Sequence, residues 1–153
     1  MKRFAKCICL VLSLTLLLAA PAQAAGLHPQ GAESPAPRAS DYFRNSAVYL
    51  YKTSGNNFEA WFEVTCVRTM DEVGVSEIRI QRSTDDATWK TVATYYMDDN
   101  YSIMICEDTF SHVGCVHYTG SSGYYYRAYY KLYAKDGSGS STWSRYSSSI
   151  YIS

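Results

Sequence analysis

An excess of charge of one sign is the first thing missing. The 14 Lys and Arg residues balance the 14 Asp and Glu over 153 residues. Without a basic surplus there is no global electrostatic reason to bind nucleic acid or an anionic lipid surface. Long apolar runs are also scarce. The one near the start, Cys7 to Ala20, is shorter than the about 20 apolar residues that a membrane-spanning helix needs. It follows Lys2, Arg3 and Lys6 and precedes Ala22-Gln23-Ala24, a small-x-small cleavage pattern. Residues 1–24 therefore read as a cleaved signal peptide, and the protein as secreted, with no membrane span after cleavage. Removing three cations leaves 11 basic against 14 acidic residues, a net charge near −3.

Helical periodicity is missing too. Beyond the leader no window keeps a 3.6-residue repeat for three turns, which argues against a helical domain. Residues 25–40 contain a Pro-, Gly- and Ala-rich run, Gly26 to Ala39, and read as a flexible linker that buries no core. From 41 to 153 the period is two. Phe58, Ala60, Phe62, Val64 and Cys66 alternate with Glu59, Trp61, Glu63 and Thr65, and Ile78 and Ile80 alternate with Glu77, Arg79 and Gln81. Successive strand residues point to opposite faces, so each segment has one apolar face. Turn-type clusters such as Ser54-Gly55-Asn56-Asn57, Asp98-Asp99-Asn100 and Asp136-Gly137-Ser138-Gly139 separate the segments. The pattern predicts about seven to eight strands, at 46–53, 57–67, 75–83, 89–96, 101–106, 112–118, 123–135 and near 142–152. Short alternating strands with regular turns predict an all-β antiparallel sandwich for residues 41–153.

Two resemblances sharpen this. The stretch Arg82-Ser83-Thr84-Asp85 through Trp89 to Val92 resembles the third and fourth strands of bacterial fibronectin type III and immunoglobulin-like modules. Tyr126-Arg127-Ala128 through Asp136-Gly137-Ser138-Gly139 resembles their last hairpin, with a longer spacing. Arg38 to Tyr42, Thr69 to Gly74, Gly123 to Tyr126 and Tyr133 to Gly139 resemble a family of small exported proteins of unknown function from Gram-positive bacteria. That resemblance implies export and a single domain, and brings no catalytic residues.

Catalytic signatures are absent as well: there is no Gly-x-Ser-x-Gly elbow, no His-Glu-x-x-His and no phosphate-cradling glycine loop. Three cysteines remain after cleavage: Cys66, Cys106 and Cys115. Cys66 falls on the apolar side of its segment and reads as a small buried residue. Cys106 and Cys115 are the pair with the shortest loop, and a disulfide between them would stabilise by roughly 2–3 kcal/mol if the geometry allows. Cys106, His112, Cys115 and His117 invite a zinc reading, but a strand over 112–118 puts Cys115 and His117 on one face and His112 on the other. One strand cannot converge all three, so no metal and no other cofactor is expected. Cys115 with a neighbouring histidine and Arg127 resembles the Cys–His–Arg set of sortase transpeptidases, yet the Thr-Leu-x-Thr-Cys motif is absent and the histidine stands too close.

What the chain has in quantity is tyrosine, and six of its 15 tyrosines lie between Gly123 and Lys135. With period two, Tyr124, Tyr126, Ala128, Tyr130, Leu132 and Ala134 form one face without charge. Tyr125, Arg127, Tyr129, Lys131, Tyr133 and Lys135 form the other. A slip of one residue would bury three cations, at several kcal/mol for each unpaired charge, so the charged set faces outward. The buried tyrosines then need hydroxyl partners at the rim of the core. Tyr125, Arg127, Tyr129, Lys131 and Tyr133, extended by Trp143, are the candidate ligand-binding residues, for a protein or carbohydrate at the cell surface. The expectation is a secreted, non-catalytic recognition or adhesion module. A small secreted toxin-like or bacteriocin-like β-sandwich protein is an alternative, and a cysteine-dependent enzyme built on Cys115 is another.

Overall fold

The computed structural model describes residues 39–153. The signal peptide expected at 1–24, and the linker up to residue 38, lie outside the described residues. A single helical turn, α1 (Ala39–Tyr42), leads into β1 (Phe43–Lys52), β2 (Asn57–Ser83) and β3 (Lys90–Tyr96). A second turn, α2 (Tyr101–Met104), precedes β4 (Ile105–Thr119), β5 (Tyr124–Asp136), β6 (Gly139–Tyr146) and β7 (Ile150–Ile152). The domain is all-β, as the period-two pattern predicts. Seven antiparallel strands join in one hydrogen-bonded sheet. No described helix is long and apolar enough to cross a membrane.

The sheet is organised by β2, 27 residues long. Two strands were expected in its place, at 57–67 and 75–83. Its first half lies between β1 and β4, from Lys52↔Phe58 to Phe43↔Cys66 and from Asn57↔Thr119 to Thr65↔Ser111. Its second half lies between β3 and β5, from Glu77↔Tyr96 to Arg82↔Lys90 and from Glu72↔Lys135 to Ser83↔Tyr125. Arg68 to Glu72, between the two expected strands, is a bulged region, where register with β4 resumes only at Met70↔Thr109. A second bulge at Ser76 inserts one residue between Val75↔Leu132 and Glu77↔Lys131. One extra residue moves the buried set from Val73 and Val75 to Ile78 and Ile80, so the apolar face stays inward. The polar groups of the bulge are satisfied: Ser76 Oγ donates to the Lys131 carbonyl at 3.1 Å, and its own carbonyl accepts from Met97 N–H at 3.1 Å.

The core forms where β5 meets the first half of β2. The Phe58 and Tyr126 rings are 5.1 Å apart, and Tyr118 lies 5.4 Å from Phe58. Phe58, Phe62, Ile78, Ile80, Tyr126, Tyr130 and Leu132 are all at most 1% exposed. Fully burying each such side chain stabilises by about 1.5–3 kcal/mol. The buried tyrosines find the expected partners. Tyr130 Oη donates to the Tyr49 carbonyl at 3.1 Å, and Tyr126 Oη accepts from Ser121 N–H at 2.7 Å. At the far end Asp136 Oδ1 accepts from Tyr42 Oη at 3.3 Å and from Ser138 N–H at 2.9 Å, while its Oδ2 takes the Arg68 guanidinium.

Two local expectations differ. Tyr101–Met104 is a helical turn rather than the start of a strand, because the Asn100 carbonyl accepts from both Ile103 and Met104 N–H at 3.0 Å. This turn presses on two glycines. A methyl at Gly74 would lie 1.9 Å from the Met104 carbonyl oxygen, and one at Gly114 would lie 2.6 Å from the Ile103 carbonyl oxygen. The last expected strand, 142–152, is split into β6 and β7. Ser147 holds the break, its N–H donating to the Ala128 carbonyl and its Oγ accepting from Ala128 N–H, both at 2.9 Å.

Candidate functional site

β5 presents two different sides. Tyr126, Ala128, Tyr130, Leu132 and Ala134 are buried, and the alternate set from Tyr125 to Lys135 is half-buried. On that outer side Arg127 is the best-held cation. Its Nε donates to Gln81 Oε1 at 2.8 Å, and its guanidinium lies 4.4 Å from the Trp89 ring and 4.7 Å from the Tyr146 ring. Tyr129 packs 5.2 Å from Tyr146, shares a hydrogen bond of 2.9 Å with Ser144 Oγ, and carries Arg79 at 5.1 Å from its ring. Arg79 Nε in turn donates to Glu77 Oε1 at 2.5 Å, and this bond raises the guanidinium pKa. Tyr125 packs 4.9 Å from Tyr151. Lys131 stands opposite Glu77 on β2 and Ser144 on β6, and Tyr133 stands opposite Gly74 and Thr142. Lys135 Nζ donates to Glu72 Oε1 at 2.6 Å, which likewise raises its pKa. On the outer side, then, Arg127 lies between two rings, Arg79 lies over a third, and Lys135 is paired with a carboxylate.

Trp143 is not part of it. It pairs with Leu132, so it shares the core side of the sheet. Its ring lies 6.1 Å from Phe43, and the Arg145 guanidinium lies 3.7 Å above it. The two-residue loop Gly137-Ser138 fixes this register, and it is the sequence signal that places Trp143 inward. The aromatic neighbours that join the outer side instead are Tyr146, Tyr151 and Trp89. At one end, a cleft of about 200 Å³ is lined by Arg82, Ser83, Thr84, Thr88, Lys90 and Tyr124. The Asp85 carboxylate stiffens the loop there, accepting from Ser83 Oγ and from the N–H groups of Ala87 and Thr88, which hold it well below the usual carboxylate range.

The disulfide expected between Cys106 and Cys115 is not formed, and Cys66 also stays a free thiol. Cys106 and Cys115 lie on one strand, β4, rather than across a hairpin. Nine positions along a strand span about 30 Å, far beyond the reach of a disulfide.

A second group of chemically active side chains sits on the outer side of the β1–β2–β4 region. Glu59 and His117 are cross-strand partners, and Trp61 and Cys115 are the next such pair. The donor atoms of Glu59, Cys115 and His117 all lie within 4.8 Å of one another, with His117 Nδ1 3.5 Å from Glu59 Oε1. Burial and the Glu59 charge raise the Cys115 thiol pKa. Trp61 stacks on Tyr49 beside them, with ring centroids 5.2 Å apart. Cys115 and His117 share a side of β4, as alternation predicts. His112 points away, its Nε2 donating to the Ile103 carbonyl at 2.9 Å and its ring edge on Phe62 at 5.5 Å. Glu59 was not expected here, because it belongs to another strand more than 50 residues earlier. In comparisons with protein-family models, curated proteins and solved structures, nothing matches this chain.

Proposed function

We propose that this protein is a secreted, non-catalytic recognition or adhesion module of the small exported Gram-positive type, and that the outer side of β5 is its binding surface. The observation that carries the reading is the ring–cation–ring arrangement of Trp89, Arg127, Tyr146, Tyr129 and Arg79. Rings held by neighbouring guanidinium groups lose little freedom when a flat partner docks, which favours rigid aromatic surfaces in recognition. Their faces suit a sugar ring or a protein partner at the cell surface. A non-catalytic role is supported by Arg127, the third member of a Cys–His–Arg set, being engaged by Gln81, Trp89 and Tyr146. The test is a glycan, peptidoglycan and surface-protein binding screen, repeated with Tyr125→Ser, Tyr129→Ser and Tyr146→Ser combined. Binding that disappears while circular dichroism and the unfolding midpoint show a folded domain supports the reading. Binding that survives the triple substitution overturns it.

A further inference from the structure

We infer that Glu59, Cys115 and His117 form a binding site for a divalent cation of the Zn²⁺ class, with three protein ligands and an open fourth position. The argument begins with donor chemistry. A thiol, an imidazole and a carboxylate are the three side-chain types that bind zinc, whereas hard cations such as Ca²⁺ and Mg²⁺ take oxygen alone. Geometry comes next. Zinc bonds of about 2.0–2.3 Å at tetrahedral angles put neighbouring ligand atoms roughly 3.3–3.7 Å apart. Glu59 and His117 already stand at 3.5 Å, and all three donor atoms lie within 4.8 Å, so rotation about side-chain bonds closes the set.

The backbone supports this without rearrangement. Glu59↔His117 and Trp61↔Cys115 are registered pairs on adjacent strands, which puts the three side chains on one side of the sheet. The His117 carbonyl accepts from Tyr95 Oη at 2.9 Å, which anchors that end of β4. Cys115 Sγ makes no hydrogen bond among the described residues, and its Glu59 neighbour adds negative charge. A cation satisfies both groups at once. Binding exchanges the S–H bond for an S–metal bond, and the proton leaves to solvent. The His117 side chain is 78% exposed, so the fourth position faces solvent and can take water or a donor group from a bound molecule.

The test uses the full chain with Cys7→Ser and Cys9→Ser as the common background, kept reduced and titrated with Co²⁺ and then Zn²⁺. One equivalent of Co²⁺ should give a thiolate-to-metal charge-transfer band and the strong visible absorption of a tetrahedral site, both abolished by Zn²⁺. Cys115→Ser should remove the charge-transfer band. Glu59→Gln and His117→Ala should each weaken binding by about ten-fold or more. Cys106→Ser should change nothing. Unfolding midpoints measured without metal check that each variant folds, and Zn²⁺ should raise the midpoint only where the three ligands are intact. A band that survives Cys115→Ser, a band lost with Cys106→Ser, or no saturable binding overturns the inference. This outcome is independent of ligand binding at β5, because the residues tested there are on other strands.

Discussion

On the outer side of β5 both arginines already have partners: Arg127 lies between Trp89 and Tyr146, and Arg79 lies between Glu77 and Tyr129. On the outer side of β1, β2 and β4, Glu59, Cys115 and His117 have chiefly one another. The first side uses charged groups to hold rings still, and its polar atoms are largely satisfied within the protein. The second brings three donor atoms within 4.8 Å of one another. Half-buried charge on a sheet can therefore mean two things. It is scaffolding where each charge is matched, and a site where matching requires something from outside.

Four perturbations separate these cases. The largest effect is expected at Gly74, which pairs with both Ile105 of β4 and Tyr133 of β5 and so joins the two regions. Gly74→Ala puts a methyl 1.9 Å from a backbone oxygen that cannot move independently. It should destabilise by more than about 3 kcal/mol in urea unfolding and loosen both sides together. Next is Cys66, which belongs to the shared core. Burial pushes its thiol from 9.0 up to about 11. Below pH 9 the thiol is neutral in both states. Between 9 and 11 only the unfolded chain ionises, so stability falls, and above 11 the loss levels off. The loss should be on the order of 2 kcal/mol, read as the difference between wild type and Cys66→Ala across that range.

Third, Arg127→Ala should cost about 1–2 kcal/mol, since it removes two ring contacts and the Gln81 hydrogen bond. Arg127→Lys should recover little of that, because an ammonium does not stack as a planar guanidinium does. The smallest effect is expected at His117. Without metal, His117→Ala should shift stability by less than about 0.5 kcal/mol, as an exposed side chain with one long contact contributes little. An Arg127→Ala cost equal to that of His117→Ala would erase the distinction between the two sides.

The two sides of β5 can be read from the sequence because a misassignment would bury Arg127, Lys131 and Lys135, a cost too large for packing to offset. The need of the Tyr126 and Tyr130 hydroxyls for partners follows from the same logic, while the partners themselves come from the fold. Trp143 was misplaced because a strand expected as one piece over 142–152 carries no register of its own. The register comes from the loop after Asp136, and Ser147 then ends the strand. The Cys106–Cys115 bridge assumed a turn between them, whereas β4 runs on with only a local distortion at Asp108, whose φ is 50°. Glu59 could not be read as a ligand because strand-to-strand neighbours separated by a long stretch of chain leave no local pattern. Alternation along β4 already separates His112 from Cys115 and His117, and pairing in the sheet adds Glu59 to them.

The length of β2 also governs the order in which the molecule can be made. Its pairings with β1 and β3 are local and can form as soon as residue 96 has left the ribosome. Its pairings with β4 and β5 connect residues such as Asn57 and Thr119 or Ile80 and Ala128, and must wait for the last third of the chain. Until then each half of β2 has one strand beside it and one bare edge, a template for joining the wrong molecule. Loop closure over such distances is slow. The late arrival of β4 and β5 is thus the step that commits the chain to its fold, and a chain stopped before Ile105 would be left with a long strand and two open edges.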